Sequence, residues 1–305
     1  WSDAVGILVA SYFDQSELFP EYVGKNVNFD YSQIRPAGSY LRSSGGKAPG
    51  PEPLKNALSN IRKILDKALK DMEFASKGTR KLSPIQAYDI VMHSADAVIS
   101  GGVRRSATIC LFSPDDDEMA KAKTGSWFVE NPQRGRSNNS ALLLRDKTTA
   151  QQFAELMKSV QEFGEPGFVW SDSTELIVNP CVEIGMWPVD ETTGESGWQA
   201  CNLSTINCAK VKTEEDFYDA CKAASIIGTL QAGFASFAYL GEASERIVSR
   251  EALLGVSMTG IMENHEICLD PETQRSGAKV VKSENKRIAK IMLKIEKYCE
   301  WQGNK

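Results

Sequence analysis

Two short stretches carry groups that can do chemistry together: Asn179-Pro180-Cys181-Val182-Glu183-Ile184 and Gln199-Ala200-Cys201-Asn202-Leu203. Pro180 lacks a backbone N–H and disfavours helix at Asn179, so the first stretch reads as a loop or strand end. In an extended segment Cys181 and Glu183 leave the same face, which gathers a thiol, a carboxylate and the Asn179 amide on one non-helical loop. Such a set suits removal of a hydroxyl through a sulfur radical. A neutral thiol gives up a hydrogen atom and takes it back, a carboxylate acts as general base, an amide orients, and a second thiol supplies electrons by forming a disulfide. The plainer reading is that each cysteine is a small buried hydrophobe, the usual state of a free thiol.

Other stretches sharpen the choice. Asn179 to Ile184 followed by Cys201-Asn202-Leu203-Ser204-Thr205-Ile206-Asn207 resembles the active-site loop of ribonucleotide reductase catalytic subunits. Ile34-Arg35-Pro36-Ala37-Gly38-Ser39, Ser100-Gly101-Gly102-Val103-Arg104-Arg105-Ser106-Ala107 and Asn131-Pro132-Gln133-Arg134-Gly135-Arg136-Ser137-Asn138-Asn139-Ser140 resemble further stretches of that family, in its order. The doubled arginine and the Ser137–Ser140 run resemble most the adenosylcobalamin-dependent class, the ribonucleoside-triphosphate reductases.

The resemblance implies roles residue by residue. Cys181 is expected to be the thiyl-radical cysteine that takes the ribose 3′ hydrogen, Glu183 the acceptor of the 3′-hydroxyl proton, and Asn179 a substrate hydrogen-bond partner. Cys201 is expected to be one of two cysteines oxidised to a disulfide as the 2′-hydroxyl leaves as water. Gln133, Arg134, Arg136, Asn138 and Leu203 fall to the substrate and effector loops, where planar amide and guanidinium groups suit contacts to base and phosphate. A hydrogen-atom donor must stay protonated, so the lack of a neighbouring histidine agrees with this chemistry and disfavours a Cys-His protease.

Implied with the roles are a ribonucleotide substrate, a deoxynucleotide effector, a thioredoxin-like dithiol reductant and adenosylcobalamin, for which no binding residue can be named. The implied fold is α/β, part of a ten-stranded α/β barrel with Cys181 on a central finger loop. Residues 1–281 would be a partial barrel domain, with effector and specificity loops at about 100–140 and the finger loop at 179–184. Residues 282–305 would be a C-terminal amphipathic helix where the resemblance fades. Residues 1–33 hold no cysteine to pair with Cys201, and no Lys-Pro-Ser-Gly-Thr type stretch follows. A central fragment of a larger reductase is therefore expected, with flanking fragments as partners. The competing readings are a nucleotide-binding piece without catalysis and a hydrolase using Cys181 as nucleophile.

Composition bounds these readings. The 305 residues, 42% hydrophobic and 25% charged, are ordinary for a globular protein with a sizeable core. A net charge of −5 argues against a duplex nucleic-acid binder. No run of about 18 apolar residues spans a membrane. Seven cysteines with no Cys-x-x-Cys pair fit neither a secreted disulfide scaffold nor a zinc site, and a reducing cytoplasm is expected. With His93 and His265 the sole histidines, no metal site is expected.

Elements must position these groups. An apolar run over 4–10 reads as a helix or buried strand, and 35–53, rich in Gly and Pro, as a connecting loop that is no P-loop. Leu54 to Met72 carries a helical stripe, and Ser83-Pro84 starts a helix that Gly101-Gly102 stops. Arg105 to Phe112 alternates as a strand, with a helix start capped by Ser113 after it. Residues 131–139 read as a loop before a strand at 141–144. Thr148 or Thr149 caps the next helix, Phe168–Trp170 is a buried strand, and 187–201 is a polar surface excursion. A capping box at Thr213 opens a helix through Ala235, 246–262 is helix-prone, and 283–301 is amphipathic helix. Strands alternating with helices argue α/β.

Overall fold

An uninterrupted apolar run makes the first helix, α1 (Ser2–Ala10), and it buries Leu8 completely. Leu8 packs with Leu54, Leu58, Ile61 and Leu65, the stripe of the long helix α2 (Glu52–Glu73). Those positions recur every three to four residues, so one face of α2 is apolar and the rest is charged. α3 (Pro84–Ala97) starts at a full capping box: Ser83 Oγ accepts from the Gln86 N–H, and Gln86 Oε1 accepts from the Ser83 N–H. The computed structural model describes residues 1–42, 46–73, 81–100, 104–175, 177–237 and 239–303. The expected glycine stop at 101–102 and the Ser43–Gly45 part of the glycine-rich loop lie outside the described residues.

After α3 the strands β1 (Ile99–Ser100) and β2 (Arg104–Arg105) pair antiparallel. A parallel sheet follows, β3 (Thr108–Phe112) beside β4 (Ser137–Leu144) beside β5 (Gly167–Ser171), in register Thr108 to Ser137 and Ser140 to Gly167. Parallel neighbours need helical crossovers. The first holds α4 (Asp117–Ala120), α5 (Trp127–Glu130) and a 3-10 turn over Pro132–Arg136. The second is α6 (Ala150–Phe163), capped by Thr149 and closed by Gly164, whose φ of 76° is the left-handed stop that glycine supplies without steric cost. Ala141 and Leu143 of β4, fully buried, meet Tyr88 and Met92 of α3, Met119 of α4 and Leu156 of α6. The sheet thus rests on α3, and that support matters for the site.

The chain divides into two units, Trp1–Gly185 and Met186–Lys305. The division falls within the short strand β7 (Gly185–Met186), which with β6 (Ile177–Val178) flanks the Cys181 stretch. The second unit pairs β8 (Asn202–Asn207) parallel to β9 (Leu254–Thr259), with α7 (Glu214–Ala232) and α8 (Gly241–Glu251) between them. After α9 (His265–Cys268), α10 (Pro271–Gly303) packs along α7. Parallel strands joined through helices make both units α/β.

Several expected boundaries move for physical reasons. β4 begins at Ser137, not at Ala141, because hydrogen bonds to β3 extend the ladder over polar residues. Asp116 caps α4 in place of Ser113, accepting from the Met119 N–H at 3.0 Å. Trp170 of β5 is 45% exposed, so that strand is only partly covered. α7 stops at Ala232, and α10 starts well before Ser283, at Pro271, where Asp270 accepts from the Thr273 N–H at 2.7 Å. The helix-prone reading of 246–262 misses β9, whose Gly255 and Ser257 weaken local β propensity and which exists by pairing with β8.

Candidate active site

The hexapeptide from Asn179 to Ile184 is closed by three bonds from one residue. Buried Asn179 donates its N–H to the Ile184 carbonyl at 3.3 Å, accepts the Val182 N–H on its own carbonyl at 2.9 Å, and accepts the Ile184 N–H on Oδ1 at 3.1 Å. The amide expected to face substrate therefore shapes the turn with its oxygen, and Nδ2 is the end not engaged by that closure. Val182 takes φ of 67°, a left-handed conformation that a β-branched residue rarely adopts. The extended geometry expected to set Cys181 and Glu183 on one face is thus replaced by a tight turn. Both residues are exposed on it, with the Cys181 thiol free.

A second anchor reaches this turn from β4. Asn138, one residue into the strand, donates Nδ2–H to the Pro180 carbonyl at 2.7 Å. Immediately upstream, the 3-10 turn is pinned to α3. Arg134 makes a two-pronged contact with Asp89, Nε to Oδ1 at 2.8 Å and an Nη to Oδ2 at 2.6 Å, and its other Nη donates to the Ala122 carbonyl at 2.7 Å. Its side chain is 13% exposed and that of Asp89 11%. Gln133, also buried, donates Nε2–H to Asp89 at 3.1 Å. Arg136 meets Asp96 at 2.7 Å in a more exposed pair. The loop expected over 131–139 is thus a 3-10 turn running into β4, and Arg134 and Arg136 are already paired with carboxylates.

The sequence reading passed over Asp89 and Asp96. Their spacing of two helical turns puts both on one face of α3, opposite arginines two apart, and that matched pattern was the available signal. Behind β4, buried Lys123 holds Glu165 at 2.8 Å and the Ser137 carbonyl. Tyr88 donates its hydroxyl to Asn139 Oδ1 at 3.1 Å, and burial pushes that phenol up to about 12 despite the opposing bonds from Asn139 and Ser137. Burial also raises the Cys110 thiol, with the Asp116 charge adding to it, and lowers His93 against the pull of Asp89 and Asp96.

In the second unit Cys201 is half-buried immediately before β8, Leu203 on β8 is exposed, and Gln199 has a buried amide with no hydrogen-bond partner among the described residues. The polar excursion is anchored by buried Asp190. That carboxylate accepts from the Thr192 N–H, the Thr193 hydroxyl and Arg246 Nε, and the Thr192 bond foremost holds it down to about 2. Three clefts, of 660, 280 and 440 Å³, are lined by residues other than those of the Cys181 turn. Among the described residues no group of three His, Cys, Asp or Glu side chains is arranged to hold a metal ion, and no helix is long and apolar enough to cross a membrane.

No protein-family model matches the chain, and no solved structure matches it. It is 26% identical over 280 residues to the adenosylcobalamin-dependent ribonucleoside-triphosphate reductase of Lactobacillus leichmannii, covering 86% of this chain and 34% of that protein. It is 27% identical to a probable reductase of the same name from Dictyostelium discoideum, over 86% of this chain and 33% of that one. With the Lactobacillus gasseri reductase it shares 29% identity, over 86% of this chain and 34% of the relative. The chain spans about a third of the length of the curated relatives it matches. Over most of its own length, then, this chain is similar to adenosylcobalamin-dependent ribonucleoside-triphosphate reductases.

Proposed function

We propose that the chain carries the radical-bearing turn of a ribonucleotide reductase that makes 2′-deoxyribonucleotides, triphosphates being the substrates named for its relatives. The observation that carries the reading is the turn itself: an exposed thiol and an exposed carboxylate two residues apart, on a loop that buried Asn179 closes. A hydrogen-atom donor needs to be accessible and neutral, and needs no histidine. Only His93 and His265 are present in the chain, neither of them near the turn in sequence.

The residues take their roles in order. With the radical on Cys181 sulfur, that sulfur removes the 3′ hydrogen, leaving a carbon radical. Glu183 accepts the 3′-hydroxyl proton. The 2′-hydroxyl departs as water with a proton from a thiol. Cys201 and a second thiol give the two electrons and become a disulfide, which a thioredoxin-like dithiol reduces. Carbon 2′ takes the second thiol's hydrogen, Glu183 gives its proton back to the 3′ oxygen, and Cys181 returns its hydrogen to carbon 3′ and is a radical again. Asn179 Nδ2 is proposed to hold the sugar, and a deoxynucleotide effector is proposed to act on the segment from Gln133 to Asn138. Leu203, exposed on β8, is assigned to the substrate region by its motif. The ten-stranded barrel with a central finger is the architecture this reading implies.

Adenosylcobalamin, when bound, would supply the initiating radical. The three clefts described above are lined by residues other than those of the turn, so no residue here is assigned to hold it and no step is routed through it. The test uses the chain with the remainder of its reductase, adenosylcobalamin, a dithiol and labelled ribonucleoside triphosphate. Deoxynucleotide forms with native Cys181, and formation is abolished in Cys181→Ser while nucleotide binding persists. Turnover retained by Cys181→Ser overturns the reading. Rapid alkylation of Cys181 coupled to ester hydrolysis would favour a nucleophilic cysteine instead.

A further inference from the structure

We infer that Asn138 is a positioning residue for Cys181. Its side-chain amide holds the Pro180 carbonyl and ties the peptide leading into the thiol to the segment clamped on α3. The inference rests on the radical role proposed for Cys181, but its structural half stands apart from it.

Five observations carry the argument. The Asn138 to Pro180 bond, at 2.7 Å, joins residues far apart in sequence and is a side-chain bond from outside the turn to its backbone. Among the described residues, the other hydrogen bonds within the turn come from Asn179 and are local in sequence, at the end of the paired strands β6 and β7. Asn138 is not free to move, because its backbone pairs with Ile109 in the parallel ladder. The residues before it, Arg134 and Arg136, are fixed on Asp89 and Asp96 of one helix face. Finally, the pyrrolidine ring of Pro180 leaves its own nitrogen without a proton, so its carbonyl is the one backbone polar group through which this residue can be gripped.

The consequence is mechanical. The carbonyl of Pro180 belongs to the peptide plane whose other end is the Cys181 nitrogen, so gripping that oxygen fixes the plane from which the thiol projects. A planar amide that donates from Nδ2 sets both distance and direction; a carboxylate at the same place has no proton to donate and would repel the carbonyl oxygen. Any ligand that shifts the 3-10 turn relative to α3 therefore moves the orientation of Cys181 before it touches substrate. Asn138 is assigned here to the thiol loop and not to the nucleotide base.

The test compares Asn138→Ala, Asn138→Asp and Asn138→Gln in the complete chain, by amide hydrogen exchange and by turnover in the supplemented reductase. Exchange at the Val182 and Ile184 amides should quicken about five- to tenfold in the Ala and Asp variants, the loss expected from one hydrogen bond, and fall part of the way back in Gln. Exchange in α2 and α6 should stay unchanged, which separates loss of the grip from unfolding. In the assay kcat falls in step with the exchange change while KM for nucleotide holds. Unchanged exchange at Val182 and Ile184 overturns the inference. So does a rise in KM with kcat intact, which would place Asn138 on the nucleotide. If exchange quickens but Cys181→Ser still turns over, the radical role falls and the grip on the turn remains.

Discussion

Four of the six cysteines whose side chains are described live in two opposite settings, and the contrast says more about this chain than either does alone. Cys181 sits exposed on a turn held by hydrogen bonds, whereas Cys208, Cys221 and Cys268 form part of the apolar core of the second unit, beside Ile206, Val211 and Phe217. Burial, with a bond and charge contribution from Cys268, pushes the Cys208 thiol up to about 12. One residue type is thus used as filler where packing is dense and as a reagent where the backbone is shaped by polar contacts. The largest predicted effect follows. In native protein at pH 8, iodoacetamide should label Cys181 at least about a thousandfold faster than Cys208 or Cys268, which open only with the core. Mass spectrometry of the labelled peptides checks this, and comparable labelling of Cys208 would erase the distinction.

A similar contrast separates the ion pairs. Arg134 and Asp89 are largely buried and share a two-pronged contact, while Arg145 and Asp172, also 2.8 Å apart, are 56% and 83% exposed. Breaking a buried pair strands a charge, and Asp89→Ala should lower the stability of the first unit by about 3 kcal/mol. Asp172→Ala should cost under about 0.5 kcal/mol. Urea unfolding of both variants measures the difference. Equal losses would mean that Arg134 reaches water when its partner is removed, and that the 3-10 turn is held by something else.

What could be read beforehand follows the range of the forces involved. The helices α2, α3 and α6 were legible because stripes and caps are local: Leu54, Leu58, Ile61 and Leu65 share a face, and Ser83 and Thr149 announce their own N-termini. β9 was hidden because Gly255 and Ser257 carry no strand signal, and the decision belongs to β8 some fifty residues earlier. At the site, Pro180 correctly excluded helix around Cys181. Nothing in the sequence pattern indicated that Val182 would turn left-handed or that the Asn179 oxygen would close the loop. The arginines at 134 and 136 were visible, yet their partners were overlooked, because ion pairs across elements need a fold before they can be matched.

Tyr88 offers a pH-based probe of the same buried region. Its folded pKa, about 12, lies above the ordinary value of 10, so folding favours the neutral phenol. The associated stability is fully present below pH 10 and declines as pH rises from 10 towards 12. Tyr88→Phe removes that titration together with the bond to Asn139, so the gap between native and variant stability should narrow steadily across this window. Denaturant midpoints measured between pH 9 and 11.5 follow it. A gap constant with pH would show that the phenol ionises in the fold as easily as in water.

A small effect is expected at the turn, and its smallness is the point. Val182 is 40% exposed with φ of 67°, a conformation that costs a β-branched residue on the order of 1–3 kcal/mol. Val182→Gly relieves that strain but gives the unfolded chain extra freedom worth about 0.5–1 kcal/mol, so the two changes nearly offset. Net stability should move by less than about 1 kcal/mol, in the stabilising direction. The closing bonds from Asn179 involve backbone and its own side chain, and they survive the substitution. A loss above about 2 kcal/mol would reveal that the Val182 methyls are packed in the core, which a merely polar turn does not require. The exposed setting of Cys181 would then resemble the buried setting of Cys208, and the division between reagent and filler cysteines would no longer hold.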